Sequence, residues 1–80
     1  MESAKIVVEA VRESLRLLGT LPDDQGMQNE ATAVRLMADF HEQTGSVDLA
    51  ALDRCIRRMR IAATSGKYPD NWPDDLAPSN

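Results

Sequence analysis

Three stretches of this chain carry apolar residues at the spacing of one helix face, and glycine or proline stands at each joint between them. Ile6, Val7, Ala10, Val11, Leu15, Leu17 and Leu18 belong to the first, and Gly19 and Pro22 follow. Met27, Ala31, Val34, Met37 and Ala38 form the second, widened by Ala33, Leu36 and Phe40, before Gly45. Leu49, Leu52, Ile56, Met59 and Ala63 form the third, with Cys55 at its edge, before Gly66. Successive helical residues step ~100° around the axis, so each set lines one side of its helix. The pattern predicts an all-α fold: a small three-helix domain over 1–67, followed by an extended Pro/aromatic tail over 68–80.

Local signals set the helix ends. The first helix is expected over 3–18, with Gly19 in the left-handed position past its end and Pro22 barring continuation. The second starts either directly after Pro22, capped by Asp23 or Asp24 with Gly26 in its first turn, or later, capped by Asn29. Gly45 ends it, and Ser46 is the expected cap of the third helix, with Asp48 in the first turn where a carboxylate favours the helix dipole. The third helix runs to about Thr64. A link this short makes the second and third helices an antiparallel hairpin.

Eighty residues allow one domain with a marginal core. Domains of this size usually gain stability from disulfides, a metal or association. A single cysteine forms no internal disulfide, and one cysteine with one histidine is too small a ligand set for a structural zinc site. Association remains. The first helix has an apolar arc over more than half its circumference, wider than the stripe of roughly 100° that an ordinary surface helix needs. It is therefore either sandwiched between the other two helices or short of a partner. A homodimer is expected, with Val7, Val11 and Leu18 on one edge of the arc, Ile6, Ala10 and Leu17 on the other, and a second chain on one of those edges. No basic stretch followed by an apolar run opens the chain, and no apolar run is long enough to span a bilayer. With a lone thiol, these features point to the cytoplasm.

The net charge of −4 is unevenly spread. Acids dominate 23–45, bases dominate 46–67, and Asp70, Asp74 and Asp75 make the tail acidic. The tail holds three of the four prolines and two of the three aromatics, and Tyr68 and Trp72 are expected to pin it. Cys55, beside the apolar stripe, reads as a small buried hydrophobe. His41 and Glu30 both lie on the apolar side of the second helix, but they are ~16 Å apart along its axis and form no dyad. His41 reads as a core-edge imidazole, and Glu30 as a first-turn carboxylate serving the dipole. The chain has no glycine-rich phosphate loop, metal-ligand motif or nucleophile elbow, so no enzyme activity and no cofactor are expected.

Arg54, Arg57 and Arg58 lie opposite the third apolar stripe with Ile61 among them, in the manner of a phosphate-contacting strip. The two helices around Gly45 also resemble the DNA-binding helix-turn-helix family, which implies a small dimeric regulator using that arginine face. The family places a small residue, usually alanine, four positions before the turn glycine; this chain has His41 there, and no binding residue carries over. The acidic net charge opposes approach to DNA. The preferred expectation is a non-catalytic protein-binding module, acting as an inhibitor, adaptor or regulatory subunit, with Arg54, Arg57, Arg58, Ile61, Tyr68 and Trp72 contacting the partner. Its size and acidity are those of many phage-encoded inhibitors of host systems, an analogy without a shared motif.

Overall fold

The computed structural model describes residues 2–77. Three helices follow one another, α1 (Glu2–Leu18), α2 (Gln25–Thr44) and α3 (Leu49–Ser65), and each packs against the other two. Among the described residues there is no strand, and no helix is long and apolar enough to cross a membrane. The predicted three-helix architecture is the one observed. The last three residues of the 68–80 segment lie outside the described residues.

Asp24 starts α2: its backbone is extended, and its Oδ1 accepts from the Met27 amide at 3.0 Å. Of the starts compatible with the sequence, the earlier one is therefore used. Gly45 ends α2 at φ 77°, a left-handed conformation with little cost only for glycine, and donates its N–H to the His41 carbonyl. Gly66 ends α3 in the same way at φ 84°.

Two ends differ from expectation. Gly19 is not left-handed, since positive φ among the described residues is confined to Gly45 and Gly66. Instead α1 tightens into successive i to i+3 turns, Thr20 N–H to Leu17 O and Leu21 N–H to Leu18 O, with the Thr20 hydroxyl also donating to Leu17 O at 2.7 Å. The second correction concerns α3, which is capped by Asp48 through the Ala51 amide and not by Ser46. The Ser46 N–H is held by the Thr44 hydroxyl, and Val47 packs against the core, so the chain stays extended for two more residues.

The core is built from all three helices. Met27, Val34, Leu52 and Met59 are its largest fully enclosed side chains, with Val7, Ala10, Leu17, Cys55, Ile56 and Ala62 around them. The buried stripe of α3 is rotated toward Cys55 relative to the sequence reading. Leu49 is left 43% exposed and Ala62, rather than Ala63, is enclosed. Much of the apolar arc of α1 is covered within the chain because α1 has a neighbour on both sides, while Ile6, Val8 and Leu15 stay about half-exposed. Val7, Ala10 and Leu17 are buried, Val11 and Leu18 pack against the core, and of the six residues expected at a dimer interface only Ile6 remains exposed.

Emptying the Met59 site removes a fully enclosed side chain from the contact of the helices. Met59→Ala is expected to destabilise by about 2–5 kcal/mol in chemical denaturation. Leu49→Ala, at a half-exposed position, should cost no more than about 1 kcal/mol. Equal small losses at both positions would place the core elsewhere on α3.

Candidate functional site

Arg58 is the residue whose placement departs most from the sequence reading. Its side chain is buried, with 7% of its surface exposed, as is that of Glu30. The guanidinium grips Glu30 in a two-pronged pair, Nε to Oε2 at 2.5 Å and Nη2 to Oε1 at 3.0 Å. Its Nη1 donates to the Leu76 carbonyl at 2.8 Å, and Nη2 also approaches Cys55 Sγ at 3.4 Å. A charge withdrawn from water needs this degree of hydrogen bonding to be tolerated. Arg58 thus leaves the exposed strip, because α3 turns that edge toward α2. Glu30 is correspondingly more than a first-turn carboxylate, since it holds the other half of the pair.

The tail completes the arrangement. The Tyr68 hydroxyl donates to Glu30 Oε2, and the Tyr68 N–H donates to Asp24 Oδ2 at 3.3 Å, so one carboxylate both caps α2 and anchors the tail. The ring lies flat on the first turn of α2: a Cβ on Gly26 would stand 2.3 Å from it, which explains a glycine at a helical position. Trp72 meets Tyr68 edge-on at a centroid distance of 5.2 Å, and Leu76 is buried. The Trp72 Nε1 is enclosed without a hydrogen-bond partner among the described residues. Burial, then the hydrogen bond and charge of Glu30, push the Tyr68 phenol up to about 12. Burial, followed by the Glu30 charge, pushes the Cys55 thiol up to about 11. Such a thiol is a poor nucleophile at neutral pH.

The residues assigned to a partner contact are therefore divided. Arg58 is internal, and Tyr68 and Trp72 lid the helices. Arg57 and Ile61 are exposed, and Arg57 pairs with Asp53 one turn away at 3.0 Å. Arg54 is half-buried at the mouth of the α2/α3 groove beside Ala33, Met37 and Ala51. Asp70, Asp74 and Asp75 form no ion pair with Arg54 or Arg57 among the described residues. The tail occupies Arg58 through a main-chain carbonyl, not through its acids. His41 is half-buried, with Nε2 3.5 Å from the Ser3 hydroxyl, and no group of described residues is arranged to hold a metal ion.

What the surface does offer is apolar. Between α1 and α3 runs an open groove of about 420 Å³, floored by Ile6, Ala10, Leu49, Leu52 and Ile56 and rimmed by Glu9, Glu13, Asp53 and Arg60. Ile6 and Leu49, 45% and 43% exposed, come from opposite walls. Glu13 accepts from Arg16 at 2.8 Å and from Arg60 at 3.2 Å, and the Arg16 hydrogen bond leads in holding its carboxyl down to about 2. On α2, Leu36 and Phe40 project outward, 62% and 56% exposed. The sequence places both beside the apolar face, and only the position of the neighbouring helices shows that neither is covered. Comparison with protein-family models, curated proteins and solved structures finds no match.

Two expectations follow from the buried cluster. Arg58→Met leaves Glu30 enclosed without its cation and should destabilise by about 3–5 kcal/mol, whereas adding Glu30→Leu to the same chain should recover most of that loss. Denaturant midpoints of the two variants check this, and a double variant no better than the single would deny the pair its central place. The second expectation concerns alkali. Folded Tyr68 and Cys55 keep protons that the unfolded chain, with ordinary values near 10 and 9, has already lost. Stability should therefore fall as pH rises from about 9 to 12. Tyr68 is the only tyrosine, so tyrosinate absorbance should rise together with unfolding, and Tyr68→Phe should flatten the upper part of the slope.

Proposed function

We propose that this chain is a non-catalytic protein-binding module, an adaptor, inhibitor or regulatory subunit, that receives a partner segment in the groove between α1 and α3. The observation that carries the reading is the pairing of Ile6 and Leu49 across that groove, both left about half-exposed over an apolar floor. Exposed apolar side chains that cluster in a concavity, rimmed by charge, have the form of a protein-interaction site. The rim holds three carboxylates against one guanidinium, and Glu9 has no ion-pair partner among the described residues. A segment presenting apolar side chains with a basic residue beside them fits this chemistry. The inhibitor form, like the phage-encoded proteins of similar size and acidity, and a cytoplasmic setting for the lone buried thiol belong to the same proposal.

The test is capture from the source cell by immobilised wild-type chain and by an Ile6→Asp/Leu49→Asp chain whose melting curve matches it. A defined partner retained by the first and lost by the second is the expected result. Glu9→Lys should weaken its retention by several-fold, in keeping with a rim charge. Identical capture by all three chains would remove the groove from consideration.

A further inference from the structure

The outward face of α2 carries an exposed apolar crest. Leu36 and Phe40 stand one turn apart on it, more than half-exposed, and Phe40 is the only phenylalanine in the sequence. Residues four apart share one stripe of a helix. Arg35 and Asp39, also four apart and both exposed, run beside that stripe on a single flank, with Glu42 following on the same side. Neither Arg35 nor Asp39 has an ion-pair partner among the described residues. A base preceding an acid by four residues is the weaker order for pairing within a helix, which leaves both charges available.

We propose that two copies pack α2 against α2 in antiparallel fashion about a two-fold axis passing near Ala38. The two-fold sets Leu36 of one copy against Phe40 of the other, twice. The same operation keeps the charged flanks on one side and reverses their order. Each Arg35 then lies opposite the Asp39 of the other copy, offset by about 3 Å along the axis at a rise of 1.5 Å per residue, with the Glu42 of that copy within the same reach. A parallel two-fold would carry the charged flank of one copy to the opposite side of the contact from that of the other, so that Arg35 and Asp39 would meet no counterpart. Charge complementarity therefore selects the second copy, and its antiparallel direction, as the occupant. Leu36 also borders the α1/α2 groove of about 410 Å³ lined by Leu15 and Leu18, which gives the incoming phenyl ring an apolar bed. This surface belongs to α2 and the adjoining edge of α1, and shares no residue with the α1/α3 groove.

The test is sedimentation equilibrium of the full chain and of variants at exposed positions, with circular dichroism confirming unchanged folds. Wild type should dimerise with a dissociation constant on the order of 10 µM, as suits an interface below standard size. Phe40→Asp should remain monomeric at ten times that concentration. Arg35→Glu and Asp39→Arg should each dimerise about tenfold more weakly, since each turns both rim pairs into repulsions. An equimolar mixture of these two should regain wild-type affinity as a heterodimer, because one pair then keeps its native Arg35–Asp39 form and the other is restored with reversed sign. A monomeric wild type, a dimer indifferent to Phe40→Asp, or a mixture no tighter than its components would overturn the proposal.

Discussion

The buried ion pair between Arg58 and Glu30 is the interaction around which the rest of the structure is arranged. It joins α3 to α2, and through the Leu76 carbonyl and the Tyr68 hydroxyl it brings in the tail. A guanidinium in the interior is tolerable only when its donors are used, and here four of five make bonds to Glu30, Leu76 and Cys55. Each element thus needs the others. Without the tail, Glu30 loses the phenol and Arg58 loses a carbonyl, and the cluster opens to water. For a chain with no disulfide and a core of ten apolar side chains, this polar cross-link stands where a staple would. It adds uniqueness more than net energy, because only one register of α3 on α2 puts the two charges together.

The same cluster explains what the sequence discloses and what it conceals. Helix number, order and the ends at Gly45 and Gly66 follow from periodicity and local signals, whereas the start of α2 is open between Asp23, Asp24 and Asn29 and the cap of α3 is Asp48 in place of Ser46. Glu30 is visible as a carboxylate on an apolar face, which is a sign that something unusual faces it. Its partner is not visible. Arg54, Arg57 and Arg58 are alike as residues, and only the angle at which α3 meets α2 decides that Arg58 turns inward while Arg57 stays in solvent. Gly26 is similar: the sequence marks it as a poor helical residue, but the ring of Tyr68 that requires it comes from 42 positions later in the chain.

Exposure was the least legible property, for a related reason. Leu36 and Phe40 continue the apolar arc of α2, as Val7 and Leu17 continue that of α1, and the two arcs look equivalent in sequence. A three-helix bundle covers them differently. Val7 and Leu17 of α1 are enclosed, whereas Leu36 and Phe40 of α2 stay exposed, as do Ile6, Val8 and Leu15 on α1. The apolar surface that the chain has in excess therefore exists, as composition suggests, but is spread over all three helices.

The positions of the two apolar surfaces have a consequence for how such a module would work. The groove between α1 and α3 is formed without α2, and the Leu36/Phe40 crest is formed by α2. Pairing two copies through α2 would leave both grooves open, related by the two-fold axis. A partner carrying two copies of the recognised segment would then meet the second groove at the effective concentration set by the first, raising avidity without any new contact. Weak grooves of this size gain most from such an arrangement, since the translational cost of association is met once for two contacts. The buried ion pair supports this as well. It fixes α3 relative to α2, and so fixes one wall of the groove relative to the dimer axis, which makes the spacing between the two sites a property of the fold.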